Sequence, residues 1–174
     1  SNNIEAHAKF LYFIIEILNK YSDIKIMFKP KNDFEEYFSK TLTREPAKFL
    51  SDNKNFNILK KDQISTSIYS ISDLIVSMSF TSTGVEAMKM GKKSFYVDLL
   101  NNFKNSYFDC FENLVSHSNE SALKNFEFWK NLNSENVTKK YEKILNDMGI
   151  NNKNEPTEIV RKEINKANKI QINV

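Results

Sequence analysis

SMSFTSTGVEAMKMGKKSFYVD, residues 77–98, is the stretch that decides the fold. An apolar run ends in small hydroxyl residues, a short helix-like segment follows, and SFYVD (94–98) begins a second apolar run. Gly84 and Gly91, two of the chain's three glycines, lie inside it. Gly91 stands where a glycine typically ends a helix. The stretch therefore predicts a strand, a helix over residues 83–90 and a second strand.

The same alternation runs through the rest of the chain. Hydrophobic patterns predict strands near 24–28, 56–59, 74–79, 94–98 and 113–117. They predict helices near 4–20, 34–42, 64–71, 83–90, 118–130 and 137–148, with the second helix stopping before Pro46. Strands separated by helices pair in parallel through right-handed crossovers. The expected fold is α/β, a three-layer Rossmann-like sandwich with a mostly parallel sheet.

Two segments are expected along the chain. Residues 1–150 form the Rossmann-like domain, and residues 151–174 form an amphipathic C-terminal helix or tail. The tail is expected to pack back on the domain or on an N-terminal domain absent from this sequence. The opening Ser1-Asn2 without an initiator Met suggests an excised domain.

Composition excludes several classes of protein. Hydrophobic residues make up 40% of the chain, enough for a buried core, and its net charge of +3 is interspersed rather than blocked, which argues against nucleic-acid binding. The two histidines and single cysteine offer no metal-ligand spacing. The apolar run FLYFIIEIL (10–18) is broken by Glu16 and is too short to span a bilayer. A cytoplasmic protein is expected, with no cofactor or metal required.

The loop after the third strand is the first candidate binding site. It contains Ser79, Thr81, Ser82 and Thr83 and leads into a helix at Gly84. A helix N-terminus presents unpaired N–H groups and a partial positive charge, so anions such as phosphate settle there. Hydroxyl groups add donors, and a glycine lets a ligand approach the backbone.

A structural interpretation competes with this binding site. Thr83 and Glu86 have the spacing of a capping box, which stabilises a helix start without any ligand. In the binding interpretation, Glu86 instead accepts hydrogen bonds from vicinal sugar hydroxyls. Both interpretations stay open at the level of sequence.

Other strand ends carry polar residues. Lys29 and Lys31 follow the first strand, where they neutralise a pyrophosphate or are ordinary surface lysines. Asp98 follows the fourth strand, where it binds sugar hydroxyls or starts a turn. All are expected at the same edge of the sheet as Gly84. His117, at the end of the fifth strand, lines a ligand site or is a surface residue, with the surface interpretation favoured, and no poised catalytic base stands out.

The segment SDLIVSMSFTSTGVEAMKMGKKSFYVD (72–98) resembles the donor site in the C-terminal domain of GT-B glycosyltransferases. The matching positions are Asp73, Leu74 to Val76, Ser77 to Ser79, Ser82, Thr83, Glu86, Gly91 and Lys92. Within that fold, the bacterial surface and capsular polysaccharide biosynthesis group is similar in two further features. These are a Lys-Pro-Lys after an early strand, here residues 29–31, and a Ser-Thr-x-x-Glu-Ala helix start, here residues 82–87.

The resemblance implies a nucleotide-sugar donor-binding domain of a glycosyltransferase. The hydroxyl loop and helix start would hold the diphosphate, with Lys29 and Lys31 nearby, and Glu86 and Asp98 would bind the ribose or donor sugar. The implied partners are a nucleotide sugar and an N-terminal acceptor domain, with peripheral membrane association of the full-length protein. An epimerase-like GT-B domain and a non-catalytic α/β binding or assembly module stay open as alternatives.

Overall fold

A computed structural model describes residues 2–30, 42, 44–78, 81–102, 104–147 and 149. In chain order its elements are α1 (Asn2–Lys20), β1 (Ile26–Phe28), α2 (Arg44–Asp52), β2 (Phe56–Ile58), α3 (Ser65–Ile71), β3 (Leu74–Met78), α4 (Ser82–Lys89), β4 (Lys93–Val97), a 3₁₀ helix (Tyr107–Cys110), β5 (Val115–Ser116), α5 (Asn119–Asn131) and α6 (Ser134–Asp147). The chain divides into two compact units, Ser1–Val137 and Thr138–Val174. All five strands lie in the first unit.

Every strand pair in the described part of the chain is parallel. β1 pairs with β2, and β3, β4 and β5 form a second sheet in that order. The α/β class with parallel strands is confirmed. The strands were expected to share one sheet, but in the described residues they pair as two, so the end of β1 is not joined by backbone pairing to the edge formed by β3, β4 and β5.

Helices cover both faces of β4, the central strand of the larger sheet. On one face, the Tyr96 hydroxyl lies against the start of α4 and donates to the Thr81 carbonyl at 3.2 Å. On the other face, Val97 pairs with Ser116 in register, and Asn125 of α5 donates to the Ser116 hydroxyl at 2.7 Å. Because successive residues of a strand face opposite sides, these contacts place β4 between two helical layers. Four of its five residues are buried accordingly.

α1 packs against α2 and α5. Its buried side chains recur at helical spacing and are Phe10, Leu11, Phe13, Ile14, Ile17 and Leu18. Tyr21, just after α1, donates to Glu127 of α5 at 2.7 Å, and Lys20 pairs with the same carboxylate. The Trp129 indole of α5 is fully buried and donates to the Asn113 carbonyl at 2.7 Å. These contacts hold α5 against the end of α1 and against Asn113, just before β5.

The sequence analysis predicted no helix across Pro46, and the structure has one there, α2. Pro46 lies in the first turn of α2, where its missing N–H has no intrahelical partner to lose. The predicted helices at 34–42 and beyond Pro156 lie outside the described residues. In the part of the chain that the structure describes, no helix is both long and apolar enough to cross a membrane.

Candidate functional site

The start of α4 differs from the predicted capping box. Thr81 is the N-cap residue, with extended backbone, and its side chain makes no capping hydrogen bond. Thr83 and Glu86 are therefore inside the helix, and the box predicted between them is not formed. Thr81 and Ser82 are exposed and Thr83 is half-buried. The hydroxyl groups of this first turn are thus presented to solvent beside N–H groups that no N-cap side chain has satisfied.

Gly84 packs against Tyr96. A Cβ atom added at Gly84 would lie 2.3 Å from both Cζ and Oη of Tyr96. The glycine therefore makes room for a phenol of the fold, and the approach of a ligand to its backbone stays a prediction. Burial raises the pKa of Tyr96 to about 12, partly offset by a hydrogen bond with the backbone of Val85. The phenol stays neutral and anchors the start of α4 to β4.

Glu86 lies one helical turn after Ser82. Residues four apart share a face of a helix, so Glu86 and Ser82 lie on one side of α4. The Glu86 side chain is exposed and is not folded back as a cap. α4 ends as predicted, because Gly91 has a φ of 69° and the N–H groups of Gly91 and Lys92 bond to the carbonyls of Met88 and Ala87.

Asp98 lies at the carboxyl end of β4, at the same edge as the start of α4. Asp98 is buried, and one of its carboxylate oxygens accepts a hydrogen bond from the Asn102 backbone N–H at 3.2 Å. The other oxygen lies 3.2 Å from Nδ1 of His117. The carboxylate thus faces inward, and a direct contact with a sugar would require it to leave these partners.

His117 is the functional candidate that sequence reasoning missed. It directly follows β5 and lies between two carboxylates, since its Nε2 is 2.7 Å from Oδ1 of Asp109. Its Nδ1 is buried and forms no well-aligned hydrogen bond, although Asp98 lies within ion-pair distance. The expectation of a plain surface histidine is therefore wrong. Nothing in the spacing of residues 98, 109 and 117 signals this contact, which three separate segments create.

The 3₁₀ helix holds Asp109 in place and adds aromatic surface. Phe108 packs edge-on against Tyr96, with ring centroids 5.9 Å apart, and so ties this helix to β4. Asp109 also accepts the backbone N–H of Asn105. Tyr107 contacts Phe111 at 5.2 Å and is 47% exposed. An exposed, supported aromatic ring therefore lies in the same loop as the His117 partner.

Of the three lysine and serine candidates that remain, only one lies in the described residues. Lys29 is exposed and follows β1 in the two-stranded sheet. Lys31 and Ser79 lie outside the described residues. A shallow cleft of about 440 Å³ lies elsewhere, beside Glu45, Lys48, Phe49, Asp52 and Asn53. Within the described ranges, no cluster of His, Cys, Asp or Glu is arranged to hold a metal ion.

Comparison with known proteins identifies a family. The family model described as "Polysaccharide biosynthesis PFTS motif protein" matches residues 3–126, more than half of the chain. No curated protein and no solved structure matches the chain. The chain therefore belongs to the polysaccharide biosynthesis PFTS motif family.

Proposed function

We propose that this chain is the nucleotide-sugar donor-binding domain of a GT-B-type glycosyltransferase acting in polysaccharide biosynthesis. The observation that carries the proposal is the uncapped, hydroxyl-rich start of α4 at the carboxyl edge of a parallel sheet. Ligands of open α/β sheets bind outside the carboxyl ends of the strands. The family match supports the polysaccharide context and includes this loop.

The start of α4 is suited to a diphosphate. Thr81, Ser82 and Thr83 present hydroxyl donors, and the helix adds free N–H groups and the positive end of its dipole. An anion there gains hydrogen bonds without displacing a capping side chain. Ser79 is proposed to contact the same phosphate because it lies in the loop before α4. Lys29 and Lys31 are proposed to attract the diphosphate because they are positively charged.

Neighbouring residues suit the other parts of a nucleotide sugar. Glu86 shares a helix face with Ser82, where its exposed carboxylate can accept hydrogen bonds from ribose or sugar hydroxyls. The exposed ring of Tyr107 offers a face on which a nucleobase can stack. Asp98 is assigned to holding His117 rather than to touching the sugar, because both its oxygens face protein groups.

The acceptor half of the reaction is assigned to a separate N-terminal domain. In this proposal residues 1–150 bind the donor, and the tail 151–174 packs back on this domain or on the acceptor domain. The donor-binding chain alone then binds nucleotide weakly and turns over little sugar, because a transfer reaction needs both substrates held together.

Calorimetry tests the proposal directly. UDP, CDP, GDP and CMP, together with their sugar conjugates, are titrated into this chain and into the full gene product. Saturable binding of at least one nucleotide is expected, with free inorganic phosphate binding far more weakly. If none of these ligands binds to either protein, the chain is not a donor-binding domain.

A further inference from the structure

The cluster formed by Asp98, His117 and Asp109 points to a chemical role at the edge of the larger sheet. The three residues come from the end of β4, the 3₁₀ helix and the end of β5. The Asp98 side chain is 2% exposed, and those of His117 and Asp109 are 23% and 22% exposed. One side of the imidazole is thus closed by a buried carboxylate, and the other side contacts a partly exposed one.

The contacts decide which nitrogen is available. Nδ1 faces Asp98 at 3.2 Å, while Nε2 faces the more accessible Asp109 at 2.7 Å. Nδ1 is buried, so a ligand at this edge can reach the imidazole only at Nε2, which contacts the partly exposed Asp109 in this structure. The geometry points to His117 as a proton donor that acts through Nε2, with Asp98 as its positioning residue.

This inference rests on the proposed function, which supplies the reacting group. During transfer, the bond between the anomeric carbon and the phosphate oxygen breaks, and its electron pair stays on that oxygen. The Nε2 proton of His117 moves to this oxygen, in the place that the Asp109 carboxylate occupies in the structure. The acceptor hydroxyl oxygen bonds to the anomeric carbon and releases its proton to solvent, and solvent returns a proton to His117.

The two histidines of the chain make a direct test practical. The full chain is labelled with nitrogen-15 in histidine, and the His117 ring signals are assigned with His117→Gln. His7 is the internal reference. Whichever of UDP, CDP or GDP binds in calorimetry is then added. The Nε2 signal of His117 is expected to shift with saturation, while the His7 signals stay in place.

A second experiment measures how much polysaccharide the organism makes with each variant. The organism's own gene is replaced by His117→Gln, by Asp98→Asn or by the control His7→Gln, and polysaccharide and protein levels are quantified. General acid catalysis contributes roughly 10²–10⁴-fold. We expect His117→Gln to lower polysaccharide at least about tenfold at equal protein level, with nucleotide affinity within about threefold of wild type, since proton donation acts on the reaction rather than on binding. Asp98→Asn should lower polysaccharide less, and the control should not.

The outcomes separate the two proposals. Nucleotide binding without any change at the His117 ring, or full polysaccharide production by His117→Gln, overturns the role of His117 and leaves the donor-binding proposal standing. Absence of nucleotide binding overturns the donor-binding proposal itself. The ring signals are measured on the wild-type chain, so they decide the question even if His117→Gln does not accumulate.

Discussion

Two helices of this protein start alike and end up in different surroundings. α3 begins with Ser65-Thr66-Ser67 and α4 with Ser82-Thr83-Gly84, each follows a parallel strand, and neither has a side-chain cap. The N-cap residue of α3 is Ile64, which is 68% exposed, whereas the start of α4 is braced by the buried Tyr96 phenol. The neighbouring polar residues differ too, since Asp98 and His117 follow strands of the sheet that contains β3, the strand before α4.

The comparison teaches that a hydroxyl-rich helix start is not a site by itself. Ser and Thr at these positions supply donors, but the neighbouring strand ends decide whether a ligand finds further partners. α3 ends within seven residues, and its late hydroxyls bond back to its own carbonyls, as Ser70 does to Thr66. α4 instead follows β3, whose sheet also contains β4 and β5, the strands that precede Asp98 and His117.

The substitution expected to lower the free energy of unfolding most disrupts the packing of α4 on β4 and leaves α3 unchanged. In Gly84→Val, the added Cβ atom would lie 2.3 Å from Cζ of Tyr96, and both residues are buried. Overpacking of this kind costs about 3 kcal/mol in the free energy of unfolding. Ser67 occupies the same helix position in α3 and is exposed, so Ser67→Val should change stability by less than about 0.5 kcal/mol. Urea denaturation measures both, and equal losses at the two positions would contradict the packing role of Gly84.

A pH experiment follows the same phenol. Its pKa of about 12 in the folded chain exceeds the ordinary value of 10.0, so the unfolded chain loses this proton first. The resulting stability is fully present below pH 10 and is lost as the pH rises towards 12, by about 2 kcal/mol. Tyr96→Phe should remove that part of the alkaline loss, and Tyr12→Phe, at an exposed tyrosine, should not. Unfolding curves between pH 9 and 12, taken as differences from wild type, measure it.

Ligand binding sharpens the comparison between the two helix starts. The double variant Ser82→Ala with Thr83→Val removes two hydroxyl donors and should weaken nucleotide binding about tenfold, close to 1.4 kcal/mol. The matched variant Ser65→Ala with Thr66→Val makes the same changes in α3 and should leave affinity unchanged. Calorimetry with the nucleotide that binds wild type decides, and a loss in both variants would point to a general effect on the fold.

Removal of the exposed Tyr107 ring should have a smaller effect on nucleotide affinity. Tyr107→Ala should weaken binding of a nucleoside diphosphate about fivefold, because stacking of a base on an aromatic ring contributes about 1 kcal/mol or more. Inorganic pyrophosphate has no base, so its affinity should not change. Tyr12→Ala is the matched control, since Tyr12 is 46% exposed and Tyr107 is 47% exposed. An equal change for nucleotide and pyrophosphate would rule out stacking.

The smallest effect concerns how the two helices end. α4 ends at Gly91, whereas the end of α3 is held by Lys92, whose ammonium donates to the carbonyls of Ser70 and Ser72 at 2.8 and 3.2 Å. Lys92→Met should cost about 0.5 to 1 kcal/mol of stability because these carbonyls lose a charged donor. Lys89→Met, at an exposed position in the last turn of α4, should cost less. Thermal unfolding of both variants at one pH measures the difference.

Local features of the fold were predictable from the sequence. The Ser118 cap of α5, the glycine end of α4 and the buried Trp129 follow from spacing and residue type. Helix α2 was missed because proline is compatible with the first turn of a helix as well as with the residues after its end. The Thr83–Glu86 box is not formed because two hydroxyl residues precede Thr83 and the first of them, Thr81, is the N-cap, two residues earlier than the box requires.

The alternation of helices and parallel strands was predictable from the sequence alone, since hydrophobic periodicity reports which face of each segment is buried. The sequence also marked the hydroxyl-rich start of α4 as a candidate binding site. That Tyr96 fills the space beside Gly84, and that Asp98, His117 and Asp109 meet, is visible only in the folded chain. These contacts join residues from separate segments, and their distances depend on how strands and loops pack, which no local spacing encodes.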